Sequence, residues 1–321
     1  MKKDDLRIVF FGTPEFAVES LRRLVEGGYN IVGVVTMPDK VAGRGHRIIQ
    51  SAVKQYALEH GLHLMQPERL KDEAFVSQLR GLNAQLHIVI AFRMLPEVVW
   101  SMPPLGTFNL HASLLPKYRG AAPINWAVIN GDTVTGVTTF FLKHEIDTGD
   151  IIQQKSIEIG RTDNVEIVHD KLMLLGADMV LATVDAIIAG TVQPIPQEQL
   201  LTAGQQPTPA PKIFTDTCRI RWNRPAEALY NHIRGLSPYP AAWSQIVDGQ
   251  GCSHHVKVFA TSEPIAKSEP SPGVITADGK HLVVDCADGQ LEILSLQLSG
   301  KRRMPAPDFM RGFDLDGCHF E

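Results

Sequence analysis

Arg7–Phe16 reads RIVFFGTPEF, and its two halves follow different rules. Arg7–Phe11 ends in an unbroken apolar run, the pattern of a strand buried on both faces. Gly12-Thr13-Pro14-Glu15 then stops the strand and starts a helix, with Thr13 placed to cap it and Pro14 suited to its first position. Phe16, Ala17, Leu21, Leu24 and Val25 recur at helical spacing until Gly27-Gly28 end the helix. Ile31–Thr36 is a second apolar strand.

The alternation continues. Ser51–His60 reads as helix, Leu62–Met65 as a short strand, Asp72–Leu82 as helix and Leu86–Ala91 (LHIVIA) as a buried strand. Phe108–His111 is extended, Ala122–Asn130 helical and Gly136–Leu142 a strand. Asp163–Ala189 is a long helix, with Asp163 and Glu166 spaced as a capping box. Strands alternating with helices predict an α/β domain with a mostly parallel sheet covered on both faces. Near Gly190 the character changes. Gly190–Pro211 carries five prolines and reads as a linker. Beyond it, a helix over Pro225–Ile233 precedes strand-like runs at Val256–Phe259, Gly273–Thr276, His281–Asp285 and Gln290–Leu298. Asp278-Gly279 and Asp288-Gly289 mark turns between them, and a small β-barrel fits. The expected division is a catalytic domain over 1–189, a linker over 190–211 and a β domain over 212–321.

At 321 residues the chain exceeds what one core usually supports, which agrees with two domains. Apolar residues make up 44% and charged residues 21%, ordinary for a soluble protein. No apolar stretch is read as reaching the roughly 18 residues of a membrane span. The N-terminus reads as a first strand rather than a signal peptide. Cys218, Cys252, Cys286 and Cys318 fit no zinc spacing and read as thiols in a reducing cytoplasm. His254-His255 sit side by side in a strand and face opposite ways, so they form no metal pair, and no metal is expected. The net charge of −4 excludes a basic footprint over the whole chain. From Lys212 onward there are 12 Lys/Arg and 13 Asp/Glu, so an RNA-binding face needs local clusters, such as Arg219/Arg221/Arg224 and Lys301-Arg302-Arg303. Trp222, Trp243 and Tyr239 read as core.

The densest chemistry lies between Asn109 and Asp150. Asn109 and His111 are two apart in an extended segment and so share a face, at the carboxyl end of a strand where open α/β sheets bind ligands. An amide donor beside an imidazole can hold an oxyanion while the imidazole handles a proton. Taken alone, the pair reads more readily as a loop cap and a core histidine than as a site. His144-Glu145-Ile146-Asp147-Thr148-Gly149-Asp150 crowds acids into a strand-to-loop junction, and an aspartate brought beside His111 would orient it and favour the imidazolium. Ser113-Leu114-Leu115-Pro116 could wall a flat ligand. Pro38–Arg47 (PDKVAGRGHR) is a Gly-containing loop with Lys40, Arg44, His46 and Arg47, suited to meeting phosphate. It is no Walker loop, and no GxGxxG follows the first strand, which argues against a dinucleotide-dependent oxidoreductase.

Together FGTPEF (11–16), PDKVAGRG (38–45), NLHASLLPKYRG (109–120) with Ala121–Pro123, and DTGD (147–150) resemble the folate-dependent formyltransferase family. The likeness spans essentially the whole chain and points to the tRNA-directed branch. It implies a Rossmann-like formyltransferase domain and a C-terminal domain similar to an OB-fold. It further implies 10-formyltetrahydrofolate as co-substrate and the α-amino group of methionyl initiator tRNA as acceptor. Asn109, His111 and Asp147 match the catalytic trio of the family. Ser113, Leu114, Leu115 and Pro116, together with Ile90, Phe92, Met94 and Ile146, are the expected folate contacts. Lys40, Arg44, Arg47, Lys212, Lys301, Arg302 and Arg303 are the expected tRNA contacts. A monomer is implied. The sequence departs from the family at Val41, where a second proline is usual, at Phe92-Arg93 in place of Tyr-Gly, and at Glu145-Ile146. A formyltransferase acting on an amino sugar-nucleotide is the competing expectation.

Overall fold

A computed structural model describes residues 2–42, 47–201 and 206–321. The chain divides into two compact units. The first comprises 1–123, 135–157 and 169–210; the second comprises 124–134, 158–168 and 211–321.

The first unit is built on a seven-stranded sheet. Its strands are β1 (Ile8–Gly12), β2 (Ile31–Val35), β5 (Leu64–Met65), β6 (Leu86–Ile90), β7 (Thr107–His111), β9 (Val134–Phe141) and β10 (Ile151–Glu158), in the order β10-β9-β7-β6-β1-β2-β5. β3 (Lys40–Ala42) and β4 (Arg47–Ile49) form a small antiparallel pair, and β8 (Arg119–Gly120) pairs in parallel with β11 (Pro209–Ala210). Helices α1 (Glu15–Glu26), α2 (Ala52–Glu59), α3 (Glu73–Gly81), α4 (Glu97–Trp100) and most of α6 (Val165–Ala189) accompany the sheet. β1 pairs in parallel with β2 and β6, and β6 with β7, while β9 runs antiparallel to β7. The mostly parallel expectation therefore holds from β7 to β5. β1 and β6 are buried along their whole length, as their unbroken apolar sequences require. The chain leaves β1 toward β2 and β5, then returns to β6 on the other side, so the strand order reverses between β1 and β6. Ligand crevices open at the carboxyl ends of strands at such a point, and β7, carrying Asn109 and His111, lies next to it.

Several local readings shift. α1 starts one residue late, with Pro14 as its cap and no side-chain cap bond. Helix α6 is capped by Asn164, whose Oδ1 accepts from the Ile167 amide at 3.0 Å, because the Asp163 carboxylate is already held by the Gly160 amide at 2.8 Å. α6 also corrects the reading of apolar stretches. It is 25 residues long with a window of mean hydropathy 2.0, enough by length and composition to cross a membrane. Its scattered acidic residues hide that in the sequence. Leu172, Ala177, Val180 and Val184 are nevertheless buried, and Thr183 shares a 2.9 Å hydrogen bond with Thr139 of β9, as in a helix covering a sheet. Of the stretch read as a linker, the described residues up to Ala210 group with the first unit: Ile195 bridges Ile151, and Pro209–Ala210 forms β11.

The second unit holds an antiparallel sheet of β12 (Ala242–Val247), β13 (Ser253–Thr261), β14 (Ile265–Ala266), β15 (Ile275–Ala277), β16 (Leu282–Asp285), β17 (Gly289–Leu298), β18 (Met304–Pro305) and β19 (His319–Phe320). Both Asp-Gly signals fall at hairpins, one between β15 and β16, the other at the start of β17. Val274 bridges His319, and the Phe320 amide donates to the Gly273 carbonyl at 2.8 Å. The two ends of the sheet thus meet in the closed arrangement expected of a small barrel. α7 (Ala226–Leu236) and α8 (Ala306–Met310) complete a core around Trp222, Leu229, Ile246, Val258, Leu296 and Phe309. α5 (Pro123–Ile129) sends Ile129 into the same core.

Each unit contains a buried neutral histidine. Burial pushes the pKa of His87, in β6, down to about 4, and that of His232, in α7, to about 4 as well. In the unfolded chain both regain the ordinary value near 6.5. As pH falls below that value the unfolded state binds protons that the folded state refuses. Stability is therefore level above about pH 7 and declines between about pH 6.5 and 4, by about 3 kcal/mol per histidine. Urea melts at pH 7 and pH 5 check this: His87→Leu should flatten the decline in the first unit, and an unchanged pH slope would refute the assignment.

Candidate active site

His111 closes β7 and is buried, with 6% of its surface exposed. Its Nε2 lies 2.8 Å from the Tyr118 carbonyl oxygen. A carbonyl only accepts, so Nε2 carries a proton and donates it there. That leaves Nδ1 as the nitrogen free to serve chemistry, and it lies 3.8 Å from Asp147 Oδ2. This is an ion-pair distance, too long for a hydrogen bond. Asp147 Oδ2 instead accepts the Gly120 amide at 2.9 Å. Asn109, two residues before His111 on the same strand, is half-buried, and its backbone is paired with Val89 and Phe140 on either side. Among the described residues its carboxamide makes no hydrogen bond, so both of its donors remain available to a ligand. The residues expected as a catalytic trio are thus gathered at one strand end: His111 against Asp147, and Asn109 on the same face of β7.

Two of the residues that shape this arrangement adopt left-handed backbone conformations that L residues rarely take. Tyr118 has φ 62° and Asp147 φ 54°. Such strain concentrates at functional sites where surrounding bonds impose it, and here those bonds are identifiable. Tyr118 aims its carbonyl at His111, and Gly120 aims its amide at Asp147. Gly120 has φ 127°, and a Cβ there would lie 2.5 Å from the Ala210 carbonyl oxygen, so only glycine allows β11 to approach β8. Gln197 completes the frame. Fully buried, it donates from Nε2 to the carbonyls of Asp147 and Gly149, each at 2.9 Å, and accepts at Oε1 from Arg119 Nε at 3.0 Å and Nη2 at 2.7 Å.

The SLLP segment folds back through its own bonds. Ser113 is fully buried, and its hydroxyl donates to the Lys117 carbonyl at 2.6 Å. Thr138 ties the segment to β9, donating to the Ser113 carbonyl at 2.7 Å and accepting from the Leu115 amide at 3.1 Å. Ser113 therefore shapes the turn, while Leu114, Leu115 and Pro116 line a cavity of about 260 Å³ with Gln154, Leu200 and Pro207. Asn109, His111 and Asp147 are not in its lining. Of the other expected folate contacts, Ile90 is wholly buried at the end of β6, Phe92 packs edge-on against Phe11, and Met94 and Ile146 are exposed. Met94 borders a second cavity, of about 340 Å³, with Arg93, Arg69 and Glu97. Arg93 donates to the Pro67 and Glu68 carbonyls, so the residue that departs from the family pattern anchors the end of β6.

The expected tRNA contacts are dispersed. Lys40 is exposed at the start of β3; Arg47 begins β4; Arg44 lies outside the described residues. In the second unit Lys212, Lys301, Arg302 and Arg303 are all exposed, with Arg303 lying 4.5 Å over the Phe259 ring. Trp222 is core, as read. Tyr239 is not: it is 82% exposed, in the turn before β12. Trp243 is half-buried against the core, with the His255 ring stacked on it and the Arg219 guanidinium 5.6 Å from its ring centroid. Among the described residues no cluster of His, Cys, Asp and Glu could hold a metal. Sequence reasoning missed Tyr118, Gly120 and Gln197. Gln197 carried no signal at all, being a lone amide in a proline-rich stretch.

The chain matches known proteins along nearly its whole length. A family profile described as formyl transferase matches residues 6–184, and another, formyl transferase C-terminal domain, matches 212–314. The chain is 63% identical over 316 residues to the methionyl-tRNA formyltransferase of Bacteroides fragilis, covering 98% of this chain and 97% of that one. It is 49% identical over 319 residues to the enzyme of the same name from Porphyromonas gingivalis, covering 98% of each. Among solved structures, HypX from Aquifex aeolicus in complex with tetrahydrofolic acid superposes with a TM-score of 0.64 at 18% identity, over 97% of this chain and 48% of that chain. WlaRD, a sugar 3N-formyl transferase, also reaches 0.64 at 18% identity, over 92% and 99%. At such identity these two likenesses bear on the fold alone.

Proposed function

The chain belongs to the formyl transferase family, and from that premise we propose that it moves the formyl group of 10-formyltetrahydrofolate to the α-amino group of methionyl initiator tRNA. The observation that carries the mechanism is the 3.8 Å approach of His111 Nδ1 to Asp147 beside an unsatisfied Asn109 carboxamide. A carbonyl oxygen that gains negative charge needs fixed donors aimed at it, and an uncommitted amide is such a donor. The co-substrate supplies an activated formyl carbon. Asn109 donates to the developing oxyanion, and His111, as imidazolium, donates from Nδ1 because Nε2 is committed to Tyr118. Asp147 holds the imidazolium charge and takes part in relaying the proton. The attacking amine loses one proton and the leaving nitrogen gains one, so the site needs a relay and no net acid or base.

Leu114, Leu115 and Pro116, with the β6 end at Ile90, Phe92 and Met94 and the loop at Ile146, would border the folate. Lys212, Lys301, Arg302 and Arg303 of the second unit would meet the tRNA, as would Lys40, Arg44 and Arg47 of the first. We infer a monomer acting in the cytoplasm. The decisive experiment is an acceptor comparison: purified protein and 10-formyltetrahydrofolate, with charged initiator tRNA in one arm and an amino sugar-nucleotide in the other. Formylation of the sugar alone would overturn the reading.

The tRNA role of the second unit makes a separate prediction. Phosphate contacts release counterions, contributing about −0.7 to −0.9 each to the slope of log affinity against log salt. If Lys301, Arg302 and Arg303 each meet a phosphate, their triple alanine variant should flatten that slope by about 2 to 3. Filter binding of charged tRNA between 50 and 200 mM salt reads the difference, and parallel salt lines would remove these residues from the interface.

A further inference from the structure

We infer that Gln197 is a positioning residue, setting where the Asp147 carboxylate stands relative to His111; the inference rests on the catalytic reading of that pair. Gln197 lies in a short 3-10 turn, Gln197–Leu200, within the stretch whose sequence reads as a linker. Its side chain is wholly buried, and all four of its amide hydrogen-bonding positions are filled. A buried primary amide saturated in this way holds its neighbours at fixed separations, since moving any of them leaves a polar group unpaired. Those neighbours are the two loops of the site. The Nε2 group binds the backbone of Asp147 and Gly149, on either side of Thr148, where the chain is held in a left-handed conformation at Asp147. The Oε1 group binds Arg119, the residue between the carbonyl that fixes His111 and the amide that fixes Asp147. One side chain thus braces the loop carrying the carboxylate against the loop orienting the imidazole. A bracing group of this kind acts on turnover, because misplacing a catalytic group by about 1 Å can cost on the order of 10²-fold.

The test is a double-mutant cycle in the full-length enzyme. Gln197→Met keeps the volume and removes the amide. It should lower kcat about 10- to 100-fold while KM for 10-formyltetrahydrofolate changes less than about threefold. In an Asp147→Asn background the same substitution should cost less than about threefold, because the carboxylate it positions is gone. Should Gln197→Met fail to fold, Gln197→Glu carries the same test, since it keeps the contact with Arg119 and loses the donor to both carbonyls. Equal losses in the two backgrounds, or a Gln197 variant with kcat near wild type, overturn the inference. Wild-type turnover in Asp147→Asn alone instead overturns the catalytic reading on which it rests.

Discussion

Asn109→Ala will lower kcat for formyl transfer by about 10²- to 10³-fold and leave the melting temperature within a degree or two of wild type. The rate loss is the usual consequence of removing one oxyanion donor. The absence of a stability cost follows from the structure. The Asn109 carboxamide makes no hydrogen bond among the described residues, and the strand pairing of Asn109 with Val89 and Phe140 uses only its backbone. Among the described residues, no hydrogen-bond partner is lost when the side chain is cut back. KM for the folate should change little, because an interaction made chiefly in the transition state is missed in kcat. His111→Ala is expected to behave differently. It removes the donor to the buried Tyr118 carbonyl, so stability falls together with turnover. Steady-state kinetics and thermal melts of the two variants side by side decide the matter. An Asn109→Ala enzyme with kcat within about threefold of wild type would remove the amide from the mechanism.

Gly149→Ala will cost about 3 kcal/mol or more of stability and at least 100-fold in turnover. A Cβ at Gly149 would sit 1.6 Å from the Phe141 carbonyl oxygen and 2.8 Å from its carbon. Both are backbone atoms of β9, so no flexible side chain can swing aside. The loop must move by more than an ångström. Two bonds move with it: that from the Phe141 amide to the Asp150 carbonyl, 3.0 Å, and that from Gln197 to Gly149, 2.9 Å. Asp147 lies two residues upstream and is drawn away from His111. Gly81→Ala supplies the contrast, since a Cβ there meets nothing within 4 Å at the end of α3. That change should be neutral or stabilising by up to about 1 kcal/mol. Urea denaturation and turnover of both variants provide the measurement, and a Gly149→Ala protein as stable as Gly81→Ala would refute the steric argument.

The parts of the fold legible in the sequence are those set by local periodicity. β1, β6 and α1 emerge from runs whose apolar spacing admits one reading, and the hairpin turns from Asp-Gly pairs. β10 escaped notice because IIQQKSIE is an exposed edge strand whose outer residues are polar, and β12 because its buried positions include Ser244. In the site, Asn109 and His111 could be placed on one face from strand geometry alone. Asp147 could be joined to them by family resemblance, since 36 residues separate it from His111 and no local rule brings the two together.

What the sequence determined by itself is the α/β alternation and the placing of Asn109 and His111 on one face of a strand, because these depend on composition and on neighbours a few residues apart. Tertiary structure alone decided which nitrogen of His111 faces Asp147, how Tyr118 and Asp147 are held in left-handed conformations, and that a glutamine in a proline-rich stretch braces both loops. Those outcomes depend on hydrogen bonds between segments as many as 78 residues apart, whose partners are chosen by packing and not by any pattern along the chain.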